Sequence, residues 1–303
     1  MAVTAAMVKE LREMTGAGMM DCKKALVETD GDIEKAVDVL REKGLSKAAK
    51  KSSRIAAMGL VRMAFSDDHK KAAIVEVNSE TDFVAKNEDF IGFVDGLAKL
   101  ALESDAADMD AFMALPFEGE TVKDVLTSKI ATIGENMNIR RFEKAAEEDV
   151  IYTGYLHGGG TIGAIVGIKT DATAEEIGVC GKDVAMQVAS MKPLYLDESS
   201  VDADYIEHEK SILRQEVLNE GKPEKMVDKI VEGKIKKELK EVCLTEQKFV
   251  KDSEMTVKGY VADVAGKLGK EAAIASYIRY EVGEGIEKKE EDFAAEVAAQ
   301  MNK

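Results

Sequence analysis

A pattern of strand, turn, strand and helix occurs twice in this sequence, and a chain that repeats itself has little freedom beyond building one small subdomain two times over. Gly59-Leu60-Val61-Arg62-Met63 then Ala73-Ile74-Val75-Glu76-Val77 is echoed by Gly154-Tyr155-Leu156-His157 then Ala164-Ile165-Val166-Gly167-Ile168, the second pair at an offset of 164 − 73 = 91. Asp67-Asp68-His69 and Gly158-Gly159-Gly160 supply the turns. Helical spacing follows at Phe90, Phe93, Val94 and Leu97, and again at Val184, Ala185 and Val188. The expected fold class is therefore α+β, with duplicated core subdomains that each lay a helix on a small antiparallel sheet. A helix over Val122–Ile133, capped by Thr121, and a strand through Arg140 and Phe142 complete the first copy. A helix over Val257–Leu268 and a strand over 273–282 complete the second.

Three short amphipathic helices precede the repeat. Thr4 is placed to cap the first, which carries Val8 and Leu11 and stops at Gly16-Ala17-Gly18. The second carries Met19, Cys22, Ala25 and Leu26, with Met19 expected in the core and Met20 on the exposed side. Asp32 caps the third, where Ile33, Ala36, Val37 and Leu40 recur at helical spacing before Gly44 ends it. Residues 45–58, with Lys47, Lys50, Lys51 and Arg54 among small residues, read as a basic linker. Narrow stripes at Ile206, Leu213 and Val217, and at Val227, Val231, Ile235 and Leu239, flank Gly221-Lys222-Pro223. They predict an antiparallel two-helix arm interrupting the second copy. A last helix is expected over 287–303, with Phe293 and Val297 on one face. The expected division is a three-helix bundle with basic linker at 1–55, core subdomain N at 56–148, core subdomain C at 149–198 and 243–285, the arm at 199–242 and a C-terminal helical module at 286–303.

Charge narrows the function. With 42 basic and 58 acidic side chains the chain carries −16, which repels phosphate backbones and anionic lipid, so neither direct nucleic-acid binding nor membrane association is expected. No apolar run approaches the ~18 residues of a membrane span, and the start lacks a signal-peptide pattern, so a cytoplasmic protein is expected. Cys22, Cys180 and Cys243 are odd in number and far apart, which suits reduced structural thiols. Gly158-Gly159-Gly160-Thr161-Ile162-Gly163 satisfies a dinucleotide-loop pattern, but strand rather than helix follows it, so it reads as a hairpin turn. His69, His157 and His208 stand apart from one another and from the cysteines. No metal site, cofactor or catalytic group is expected, and the chain is read as a non-enzyme.

One segment invites a functional reading. Ser79-Glu80-Thr81-Asp82-Phe83-Val84-Ala85-Lys86-Asn87 follows directly on the strand-like run 73–78 and sets an acid beside a bulky aromatic. Spacing alone favours the bland version, an N-cap at Asp82 and a core aromatic at Phe83. The functional version is a wedge that deforms a partner.

Thr15-Gly16-Ala17-Gly18-Met19-Met20-Asp21-Cys22-Lys23-Lys24-Ala25-Leu26 and Thr81-Asp82-Phe83-Val84-Ala85-Lys86-Asn87 resemble two signatures of the elongation factor Ts family. The resemblance continues through Ile133-Gly134-Glu135-Asn136, Ile139-Arg140-Arg141, His157-Gly158-Gly159, Ile162-Gly163 and Val282-Gly283-Glu284-Gly285-Ile286-Glu287 to Asp292-Phe293-Ala294, in order and over the whole chain. Thr161 stands where that family usually has arginine, and Ser79 where it often has cysteine. The resemblance implies a guanine-nucleotide exchange factor for GDP-bound and nucleotide-free elongation factor Tu, with a ubiquitin-associated-like N-terminal bundle, two core subdomains and a coiled-coil arm. It implies that Thr81, Asp82, Phe83 and Val84 enter the partner and dislodge its Mg²⁺, while Met19, Met20, Lys23 and His157 bind elsewhere on it. Self-association through core subdomain C stays an open alternative, and a plain adaptor working through the three-helix module is the competing class.

Overall fold

The computed structural model describes residues 3–287, and the helix expected over 287–303 lies outside the described residues but for its first position. Helices and small antiparallel sheets make an α+β protein, as the repeat predicts. The described residues form two compact units, one drawn from 3–60, 75–142 and 282–287, the other from Val61–Ile74 and Glu143–Glu281.

The N-terminal bundle consists of α1 (Ala5–Thr15), α2 (Met19–Glu28) and α3 (Ile33–Lys51). Thr4 Oγ1 accepts the Met7 amide at the head of α1, Asp32 accepts the Lys35 amide at the head of α3, and Gly16 closes α1 at φ +64, where a side chain would be strained. Val8, Leu11, Cys22, Ala25, Leu26 and Ala36 form the bundle core, with Ile33, Val37 and Leu40 partly buried against it. Two expectations fail here. Helix α3 does not stop at Gly44 but runs to Lys51, so 45–51 are helix rather than linker. The buried glycine sits inside the helix without breaking it, and a Cβ there would make only ordinary contact with Ala131, at 3.5 Å. Met19 is not core but 57% exposed. Ala17 packs on the bundle core instead, and its carbonyl accepts the Cys22 thiol.

The first copy of the repeat runs β1 (Met58–Phe65), β2 (Ala72–Ser79), α4 (Asp82–Ala85), α5 (Glu88–Glu103), α6 (Met109–Met113), β3 (Pro116–Phe117), β4 (Glu120–Thr121), α7 (Val122–Ile133) and β5 (Met137–Ala145). The second runs β6 (Val150–His157), β7 (Ile162–Thr170), α8 (Ala174–Met191), α9 (Ala203–Asn219), α10 (Glu224–Val242), β8 (Lys248–Phe249), β9 (Asp252–Thr256), α11 (Val257–Leu268) and β10 (Ala272–Glu281). The main sheets are ordered β1-β2-β5 and β10-β7-β6, so in each the second strand of the copy is central and the last strand lies on its far side. Antiparallel register pairs His157 with Ile162 and Ile162 with Glu281. Ile177, Cys180, Val184, Ala185 and Val188 of α8 pack on Ile151, Ala164, Val166 and Ile168 of this sheet and on Val257 and Val261 of α11. Burying each large aliphatic side chain of that set contributes about 1.5–3 kcal/mol.

Helices α9 and α10 form the expected hairpin, turned at Gly221 with φ +73. Its seam holds only Val217, Val227, Val231 and Ile235, with Leu213, Ile230 and Leu239 beside them. The rest of both helices is largely charged and exposed, which is why the sequence shows narrow stripes there.

Candidate partner-binding site

All eight residues of β2 are buried, and the chain leaves that strand directly into the segment singled out by sequence. Ser79 Oγ donates to the Thr81 carbonyl at 3.0 Å. The Thr81 amide donates to Glu135 Oε2 at 3.0 Å and its hydroxyl to Glu135 Oε1 at 2.7 Å. Thr81 is the N-cap of α4 by position, in extended conformation, yet its hydroxyl caps nothing. Glu80 accepts the Asn136 amide and pairs with Arg54 at 3.5 Å. The base of the segment is thus bonded on both sides of its turn.

Beyond that base, consecutive side chains part. Val84 is buried at 6% exposure, whereas Phe83 at 81% is the most exposed of the large hydrophobic residues among those described. The core-aromatic reading of Phe83 therefore fails. So does the N-cap reading of Asp82, which lies in the first turn of α4 and pairs with Lys86 at 2.6 Å. The hydrogen bond from Lys86, then its charge, holds the Asp82 carboxyl below the usual carboxylate range. The following helix has its own cap, Asn87, whose side chain accepts the Asp89 and Phe90 amides.

A second exposed surface lies on α2. Met19, Met20 and Val27 are 57%, 63% and 59% exposed, and Lys23 is exposed between them. Ion pairs Lys47–Asp21 and Lys43–Glu28 fasten α2 to α3. Sequence reasoning named Met19, Met20 and Lys23 but missed Val27, although its spacing of seven from Met20 places it on the same face. Glu135 and Lys86 were missed as well. The Lys86 pairing with Asp82 is an ordinary i,i+4 signal, while nothing local announces Glu135.

His157, in the other compact unit, ends β6 with its side chain exposed. Its Nδ1 lies 3.2 Å from the Tyr155 hydroxyl. Its carbonyl accepts the Gly160 and Thr161 amides and the Thr161 hydroxyl. Gly158, Gly159 and Gly160 have φ of +57, +71 and +111, so the glycine run is a hairpin turn and strand β7 follows it, as expected. Arg62 donates to the Gly159 carbonyl and the Val61 amide to that of Gly160.

Nothing at these positions resembles an activated nucleophile. Cys22, Cys180 and Cys243 are free and buried, and burial pushes the Cys180 thiol up to about 12 and that of Cys243 to about 11. Among the described residues no helix is long and apolar enough to cross a membrane. The surfaces that stand out carry exposed side chains, Phe83 on one and Met19, Met20 and Val27 on the other, and the class the fold defines is an α+β protein with two such outward faces.

Comparison with known proteins makes that class particular. The sequence profile of the family described as Elongation factor TS matches residues 80–284. The chain is 55% identical to elongation factor Ts of Clostridioides difficile (strain 630) over 300 residues, 99% of either chain. It is 52% identical to that of Clostridium novyi (strain NT) over 303 residues, again 99% of each. To the protein of Clostridium tetani (strain Massachusetts / E88) it is 53% identical over 302 residues, 99% of both. The chain belongs to the elongation factor Ts family, the nucleotide exchange factors of elongation factor Tu.

Proposed function

We propose that this chain accelerates GDP release by pressing the tip at Asp82 and Phe83 into elongation factor Tu, where it disturbs the site that holds the phosphates and Mg²⁺. The observation that carries this reading is Phe83, 81% exposed on a base that Glu135 and Glu80 bond in place. Within the wedge Phe83 and Asp82 face outward, while Val84 fastens the tip from below and Thr81 from behind. An apolar ring left in water gains roughly 1.5–3 kcal/mol when a partner buries it. That gain falls mainly to a partner conformation with an opened pocket, so the tip favours the distorted state by its differential affinity. Linkage is reciprocal: incoming nucleotide expels the factor by the same ratio, and the cycle needs no covalent step. The Asp82–Lys86 pair is solvent-exposed and weak, so the carboxylate can turn toward a cation in the partner.

Met19, Met20 and Lys23 on α2, together with His157, supply further contact with the partner. Methionine suits such a surface because its side chain adapts. No cofactor of the chain's own enters this scheme, and the action is cytoplasmic. Self-association through core subdomain C is not needed for it.

The test follows fluorescent GDP leaving elongation factor Tu. Phe83→Ala is expected to slow release about ten- to a hundredfold at unchanged melting temperature, and Asp82→Ala to slow it less. Wild-type rates in both variants would refute the tip. Binding of the intact chain without acceleration would instead favour the adaptor reading, for which the exposed Met20 and Val27 are the supporting observation.

A further inference from the structure

We infer that Glu135 is a positioning residue for the exchange tip, one that fixes the tip's geometry before any partner arrives. The inference rests on the reading of Asp82 and Phe83 as that tip.

Glu135 lies between Gly134, which ends α7 in the left-handed region at φ +92, and Met137, where β5 starts. Its two carboxylate oxygens both go to one residue, Thr81: one to the amide, one to the hydroxyl. Hydrogen bonds to an ionised acceptor are the stronger kind, and two from one residue fix its orientation as well as its distance. The hydroxyl is diverted to that purpose. Threonine at an N-cap ordinarily accepts an amide two or three residues on, as Thr121 and Thr173 do elsewhere in this chain, but Thr81 does not. The Ser79 hydroxyl takes the Thr81 carbonyl, so donors and acceptor of Thr81 are all engaged outside α4.

The surroundings reinforce the clamp. Asn136 donates its amide to Glu80 and its side chain to the Arg54 carbonyl, and Lys51 donates to the Gly134 carbonyl. Residues 51–54, 80–81 and 134–136 are thereby bonded into one base, and α4, only four residues long, stands on it. A helix that short cannot hold its own direction. Glu135 holds it, so that docking Phe83 does not also require ordering the loop.

The experiment uses full-length protein and elongation factor Tu carrying fluorescent GDP, with the factor titrated to separate the saturating release rate from the half-saturating concentration. Glu135→Ala is expected to lower the saturating rate about tenfold, with a smaller change in half-saturation because α2 and His157 still dock. Glu135→Gln should fall between wild type and Glu135→Ala, since its amide oxygen can keep the Thr81 amide and its NH₂ can donate to the Thr81 hydroxyl, with only the charge assistance lost. In the free protein, hydrogen exchange at the Thr81 amide should quicken in Glu135→Ala while the amides of β2 stay protected. A double variant with Phe83→Ala should be no slower than Phe83→Ala alone. If Glu135→Ala cannot be prepared folded, Thr81→Val removes the hydroxyl bond alone and should give the same split at smaller size. A wild-type saturating rate in Glu135→Ala beside a slow Phe83→Ala overturns the positioning role and leaves the tip standing. Wild-type rates in both Phe83→Ala and Asp82→Ala remove the tip and the inference with it.

Discussion

The two copies of the repeat cross from their second strand to their first long helix in different ways. In the second copy residues 171–173 suffice: Thr173 and Glu176 cap each other across the first turn of α8, and Lys270 donates to both Glu176 and the Asp171 carbonyl. In the first copy residues 80–87 cover the same passage, α5 takes its cap from Asn87, and the threonine of the link bonds Glu135 instead of capping. The fold needs only the short link, as the second copy demonstrates. What the first copy adds is α4, with Val84 buried and Phe83 in solvent. The copies differ further on as well, where the stretch between α8 and α11 carries the arm and the stretch between α5 and α7 only α6 and the β3–β4 pair.

The largest stability contrast between the copies should come at the glycines of their first strands, Gly59 in β1 and Gly154 in β6. Gly59 has φ +136, and a Cβ there would lie 2.1 Å from the Val77 carbonyl oxygen and 2.7 Å from Asn78 Cα, both backbone. A Cβ on Gly154 would meet the tips of Met63 and Phe65 at 2.8 Å, and side-chain tips can move. Gly59→Ala is expected to lose about 3 kcal/mol or more, and Gly154→Ala about 1–2 kcal/mol, in urea unfolding. Equal losses would mean that the two strands tolerate side chains alike and that backbone approach is not what Gly59 serves.

That contrast also marks how far a sequence can be read. Gly59 is the second residue of β1 and Gly154 the fifth of β6, and only three dimensions tell which one faces backbone. Caps at Thr4, Asp32 and Thr121, the stop at Gly16, the strand after the glycine turn and the arm with its seam were legible because each is decided within a few residues. Gly44 misled because helix propensity is a weak local prior, whereas the packing of α3 on α7 is decided by residues far along the chain. Met19 misled because an apolar residue type does not by itself say whether the first residue of a helix faces the core. The tip was legible as a motif, yet spacing argued for a buried Phe83, and its partner Glu135 lies far along the chain, where no periodicity reaches.

A middle-sized effect should separate the two links by pH. Thr173→Ala is expected to cost about 1 kcal/mol, the usual value of an N-cap. Glu176 is held down at about 2, from 4.5, first by the Thr173 amide, then by Lys270 and the Thr173 hydroxyl. A carboxyl depressed in the folded state adds stability above its unfolded value and loses it as pH falls. The Glu176 contribution should therefore be complete above about pH 4.5 and fade toward pH 2, modestly, since the group is exposed and salt screens it. Glu176→Gln should remove that portion of the acid sensitivity, seen as a smaller drop in melting temperature between pH 5 and pH 2 than in the parent; an unchanged drop would discard the capping box as its source.

The smallest contrast should appear where the copies agree. Helices α7 and α11 begin behind Thr121 and Thr256, each accepting an amide three residues on, and end at Gly134 and Gly269 with φ of +92 and +68. A Cβ on Gly134 would find only Lys51 Nζ, at 3.6 Å, and one on Gly269 would find nothing within 4 Å. With space available at both, alanine meets only the left-handed backbone penalty, about 1–2 kcal/mol. Gly134→Ala and Gly269→Ala should thus lose the same stability to within about 0.5 kcal/mol, and asparagine should recover part of it at either position. Lys51 is the one asymmetry, because it also donates to the Gly134 carbonyl. If Gly134→Ala is clearly worse, adding Lys51→Met should bring the two losses together, since the excess would then come from that bond and not from the turn; if the excess persists without the lysine, the two corners differ in backbone strain.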